Sequence, residues 1–98
     1  MGNRIELRGK LARAPELRTT PAGTALLRIV VDCGAPESEL TMNVVMTGER
    51  ARAIAAELAV GREVRATGSL RATAARGGAI ARGSVEVVAD EISLARAD

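Results

Sequence analysis

Apolar and polar residues alternate in five stretches of this 98-residue chain, and the alternation gives way to a helical period once, between the third and fourth stretches. From Asn3 to Leu11, Ile5, Leu7, Gly9 and Leu11 fall on one side and Arg4, Glu6, Arg8 and Lys10 on the other. That is the period of a half-buried strand, and Gly9 on its inner side lets the strand bend. Thr24 to Cys33 repeats the pattern with Ala25, Leu27, Ile29, Val31 and Cys33 inward. Its outer set, Leu26, Arg28, Val30 and Asp32, is half apolar, which predicts a second burial partner such as another subunit. Leu40 to Thr47 turns Leu40, Met42, Val44 and Met46 inward and Thr41, Asn43, Val45 and Thr47 outward. Arg62 to Thr73 does the same with Val64, Ala66, Gly68 and Leu70 against Arg65, Thr67, Ser69 and Arg71. In the last stretch, Ile80 to Leu94, the inward set passes from Val85 and Val87 to Ile92 and Leu94, so a bulge is expected between Ala89 and Glu91.

The connections complete the pattern. Between the first two strands lies Ala14 to Gly23, APELRTTPAG, where Pro15 and Pro21 exclude a helix and the composition reads as a shaped turn. A helix is expected from Glu49 to Ala59, capped by Thr47, ended by Gly61, with Ala51, Ile54, Ala55 and Leu58 as its apolar stripe. Ala74 to Ala79, with Gly77-Gly78, reads as the tip of a long hairpin. The chain is thus all-β with one short helix, and strand, strand, strand, helix, strand, strand describes a five-stranded OB-fold Greek-key barrel. One such domain fills residues 1–98. A ferredoxin-like sandwich needs two crossover helices, and only one segment has the helical period.

Composition narrows the chemistry. Phe, Tyr, Trp and His are absent and Cys33 is the one cysteine, so the usual acid–base pairs and metal sites cannot be assembled. The glycine-rich run from Gly68 to Ser84 lacks the Gly-Lys-Ser/Thr end of a phosphate-binding loop. Adjacent Asp90 and Glu91 point to opposite faces of a regular strand unless the expected bulge intervenes, so they make no catalytic pair by pattern alone. The expectation is a non-enzyme with no cofactor and no metal. No apolar run approaches the roughly 20 residues of a membrane span, which leads to the expectation of a cytoplasmic protein with no membrane partner.

Charge is unevenly placed. Residues 1–31 hold six basic and two acidic side chains and residues 64–85 hold four arginines and no acid, while the two remaining blocks are net acidic. Thirteen of the fourteen basic residues are arginine, whose planar guanidinium forks onto phosphate and lies against bases. In an OB barrel the loop after the first strand and the hairpin between the last two strands flank one face, which would bring the two basic blocks together. Arg13, Arg18 and Arg28 from the first block and Arg65, Arg71, Arg76 and Arg82 from the second are the candidate nucleic-acid contacts.

The run Asn3-x3-Leu7-x-Gly9-x-Leu11-x3-Pro15-Glu16-x-Arg18-x2-Pro21-x-Gly23, with Leu26 and Ile29 after it, resembles the opening of bacterial single-stranded DNA-binding proteins. Val44-Val45-x2-Gly48 before the helix and Gly61-x2-Val64-x3-Gly68-x-Leu70-Arg71 after it extend the likeness over nearly the whole chain. Primosomal replication protein N, a close relative of that family, is similarly short and ends in a like manner. The resemblance implies non-catalytic binding of single-stranded DNA, with single-stranded RNA left open, in replication, repair or restart. It also implies a homodimer or homotetramer, with replication proteins as further partners. At positions where the family stacks bases on aromatic rings, this chain carries Thr19, Thr41 and Thr47, with Ala75 near a fourth. Thr41 and Thr47 join the candidate contacts, and phosphate binding by arginine has to replace stacking worth about 1–3 kcal/mol per base. The alternative reading is a protein-interaction module on the same barrel, a primosome or replisome adaptor.

Overall fold

In the computed structural model of the protein, residues 2–73 and 85–95 are described. Six strands and one helix follow in the order β1 (Ile5–Leu11), β2 (Glu16–Thr19), β3 (Ala25–Asp32), β4 (Thr41–Thr47), α1 (Glu49–Ala55), β5 (Glu63–Ala72) and β6 (Val85–Leu94). They form one sheet in the order β1-β5-β6-β4-β3-β2, and a further β1–β3 pairing at Lys10–Asp32 and Leu11–Val31 closes five of them into a barrel. β4 and β6 run parallel, and every other pair is antiparallel. This is the OB-fold barrel read from the strand order, with β2 as an outlying sixth strand along the free edge of β3.

The inward sets supply an all-aliphatic core, except that Leu40 and Leu70, expected inside, are exposed near the ends of their segments. Leu11, Leu27, Val31, Val44, Val64 and Val87 are fully buried and represent all five barrel strands. Ala51 and Leu58 close one end of the barrel, with Ile54 and Ala55 packed partly against it. Cys33 sits at the margin of this core, half-buried. Burying each such side chain contributes about 1.5–3 kcal/mol, so the barrel needs no aromatic residue.

The bulge lies where the phase change placed it. Thr67 pairs with Glu91 and Gly68 with Ala89, leaving Asp90 as the extra residue on β6. The shift lets Val87, Ala89 and Ile92 all reach the core, whereas Val85, expected inside, is exposed. Asn3 extends the edge of β1 by mimicking a strand partner: its Oδ1 accepts from the Leu70 amide at 2.6 Å and its Nδ2 donates to the Leu70 carbonyl at 3.3 Å.

Three local expectations are corrected. APELRTTPAG contains a strand, Glu16–Thr19, between its prolines rather than only a turn. The helix ends at Ala55, four residues early, because the Glu57 and Leu58 amides bond to the carbonyls three residues back and tighten the chain. Its N-cap is Gly48 with no side-chain hydrogen bond, so Thr47 does not cap it. The hairpin tip at 74–79, with Arg76, and the stretch holding Arg82 lie outside the described residues.

Candidate nucleic-acid interface

Cross-strand register decides which outward side chains meet. Arg28 lies opposite Glu16 on one side and Val45 on the other, and Arg18 lies opposite Leu26, which in turn faces Thr47. On the far side of β4, Asn43 pairs with Glu86 and Val45 with Val88, and Glu86 pairs with Arg71 of β5. Five strands therefore contribute to one continuous outer surface.

An open groove of ≈ 920 Å³ runs along it, and Arg18, Arg28 and Arg71 line it together with Leu26, Thr73 and Glu86. A smaller depression of ≈ 210 Å³ shares Arg28, Thr73 and Glu86 and adds Arg13, Asn43 and Val45. The basic block at the N-terminus and the one that includes β5 thus meet through four arginines, Arg13, Arg18, Arg28 and Arg71. Between them is an aliphatic floor. Leu26, Val30 and Val88 are half-buried, and Val45 is only 5% exposed although it points away from the barrel core. Such a surface can receive the flat face of a base by apolar burial where no ring is available to stack on it.

Two acids sit among these arginines. Glu16 is exposed and lies 3.3 Å from Arg18, a surface pair that a competing phosphate can replace at little cost. Glu86 is 9% exposed, and its Oε1 accepts from Arg71 Nη2 at 2.8 Å and from Arg71 Nε at 3.3 Å. Sequence reasoning missed Glu86 because it counted within an acidic block. Its outward phase on β6 was the available signal, but pairing it with Arg71 needs the register across the bulge.

The remaining candidates are elsewhere. Arg65 shares the phase of Arg71 but lies six residues along β5, about 20 Å away in an extended strand. There it pairs with Arg8 in register and approaches Glu6 at 3.9 Å, outside the groove. Thr47 borders the groove through Leu26, whereas Thr41 faces Asp32 at the other end of β4. Arg76 and Arg82 are outside the described residues. Among the described residues no cluster of three or more potential metal ligands occurs, and no helix is long and apolar enough to cross a membrane.

A family model described as the single-strand binding protein family matches residues 2–95. The chain belongs to that family. This member is similar in structure to a deletion mutant of the single-stranded DNA binding protein from Thermus aquaticus, at 30% identity and a TM-score of 0.81 over 98% of this chain and 42% of that chain. It is likewise similar to the wild-type protein from Thermus aquaticus, at 28% identity and a TM-score of 0.80, covering 98% of this chain and 41% of the other. It therefore spans about two fifths of the length of those structures. No curated protein matches it. In this single-strand binding family member the groove brings arginines and aliphatic side chains around a buried carboxylate.

Proposed function

We propose that the chain binds single-stranded DNA without catalysis, with Arg13, Arg18, Arg28 and Arg71 meeting the phosphates and the Leu26–Val45 floor receiving bases. The observation that carries this is the convergence of four arginines from both basic blocks on one groove and the depression beside it in a single-strand binding family barrel. Thr47 at the rim belongs to the same reading, as do Arg76 and Arg82, which lie outside the described residues. Arg65 and Thr41 lie further along their strands, outside the groove lining, and are not needed for it. Action in the cytoplasm in replication, repair or restart, as a homodimer or homotetramer with other replication proteins, is the biological setting that fits.

A labelled mixed-sequence oligonucleotide of about 15 nucleotides, within the site size of one OB barrel, is the direct probe. Neutralising four phosphates of a single strand gives a log–log salt slope of about −3. Absence of binding at low salt with protein in the tens of micromolar range would sink the proposal. Light scattering on the same samples counts the subunits.

A further inference from the structure

The Arg71–Glu86 pair is lopsided. Both donations from Arg71 fall on Oε1, and among the described residues no donor reaches Oε2. Nor is Oε2 sealed away, since among the described residues no fully buried side-chain oxygen or nitrogen is left without a partner. Glu86 also lines both the large groove and the depression beside it. Arginine–carboxylate pairs frequently present both oxygens to the fork of the guanidinium, and this one does not. Here one oxygen is held, and the other has no donor among the described residues in a side chain that lines the groove.

We infer that Glu86 selects bases, its free Oε2 accepting a hydrogen bond from the exocyclic amino group of cytosine, adenine or guanine and disfavouring thymine. This rests on the reading that the groove holds a single strand. An ionised carboxylate accepts and cannot donate. In a single strand the pairing edges of the bases are free, and cytosine offers its amino group where thymine offers a carbonyl oxygen. Cytosine therefore satisfies Oε2, while thymine sets an acceptor against it and leaves that oxygen of a largely buried carboxylate without a donor, the situation that gives polar sites their largest discrimination. The negative charge also repels the strand backbone whatever the base, so only a donor-bearing base recovers that cost.

Oligo-dC, oligo-dT and an oligomer of dimethylated cytosine, whose exocyclic nitrogen carries no hydrogen, separate the possibilities without altering the protein. Oligo-dC is expected to bind at least about fivefold more tightly than oligo-dT, the lower end of what one good base contact discriminates. Dimethylation should bring cytosine to the level of thymine. In Glu86→Gln the dC-to-dT ratio should collapse toward one, with oligo-dT binding more tightly than to the wild type because the charge is gone. Equal binding of oligo-dC and oligo-dT by the wild type overturns the inference and leaves single-strand binding standing. A cytosine preference that survives dimethylation overturns it as well. Failure of all three oligomers to bind overturns both this inference and the proposed function.

Discussion

Arg71 on β5 and Glu86 on β6 are register partners, and the guanidinium holds one carboxylate oxygen with two of its nitrogens, at 2.8 and 3.3 Å. The arginine side chain is 59% exposed and the glutamate 11%, so the pair spans the boundary between the groove and its floor. Arg71 thus holds a largely buried acid, whereas Arg18 meets the exposed Glu16.

Removing Arg71 leaves a nearly buried charge without its donor. Arg71→Ala should lower stability by about 1–2 kcal/mol, the cost of an unsatisfied charged group that water reaches on one side. Arg65→Ala, whose nearest acid is 3.9 Å away on an exposed surface, should cost no more than about 0.5 kcal/mol. Urea denaturation of the two variants checks the order, and equal midpoints would mean that the Glu86 contact contributes nothing.

DNA affinity should sort by face. Arg28→Glu places an acid at the point where both depressions meet, whereas Arg52→Glu alters a helix residue that is engaged with Glu49 at 3.7 Å. The first should weaken oligonucleotide binding by about tenfold or more. Arg28→Ala should also flatten the salt slope by about 0.7, one phosphate's share. Similar losses at positions 28 and 52 would place the interface elsewhere.

The barrel strands were legible because each has one face in the core, so Leu27, Ile29 and Val31 recur every second residue. Even the bulge was visible, as a change of phase between Val87 and Ile92. β2 was not, because all four of its residues are exposed and it pairs along the edge of β3 without a buried side. Burial leaves no periodic trace there. The binding surface is a matter of register more than of pattern: Arg65 and Arg71 have the same phase on one strand, yet only the second reaches the groove. Glu86 needed the same long-range pairing before its role could be seen.

Two glycines hold the barrel closed, for a reason other than flexibility. A Cβ on Gly9 would strike the Asp32 carbonyl where β1 meets β3, and one on Gly68 would strike the Val88 carbonyl beside the bulge. Both obstacles are backbone, which cannot swing aside as a side chain can. Gly9→Ala and Gly68→Ala should each destabilise by about 3 kcal/mol or fail to fold, at or beyond the upper range for overpacking. Gly2→Ala, with nothing near it, serves as the silent control in thermal denaturation. A stable Gly68→Ala would show that the bulge can widen freely.

Asp90, the extra residue of that bulge, accepts from Arg4 Nη1 at 2.6 Å and from Thr67 Oγ1 at 3.3 Å, tying the residue before β1, and β5, to the irregular point of β6. The hydrogen bond from Arg4, more than any other contact, holds its carboxyl below the usual carboxylate range. A carboxyl with a depressed folded-state pKa favours folding fully above its unfolded value of about 3.9, and that contribution is lost as pH falls through the folded value. Melting temperature should therefore drop more steeply below about pH 4 in the wild type than in Asp90→Asn, whose amide does not titrate. Both partners are solvent-exposed, so added salt should shrink the difference. Parallel acid limbs for the two proteins would show that the contact contributes nothing to folding, and that Gly68 and the paired strands alone hold the bulge.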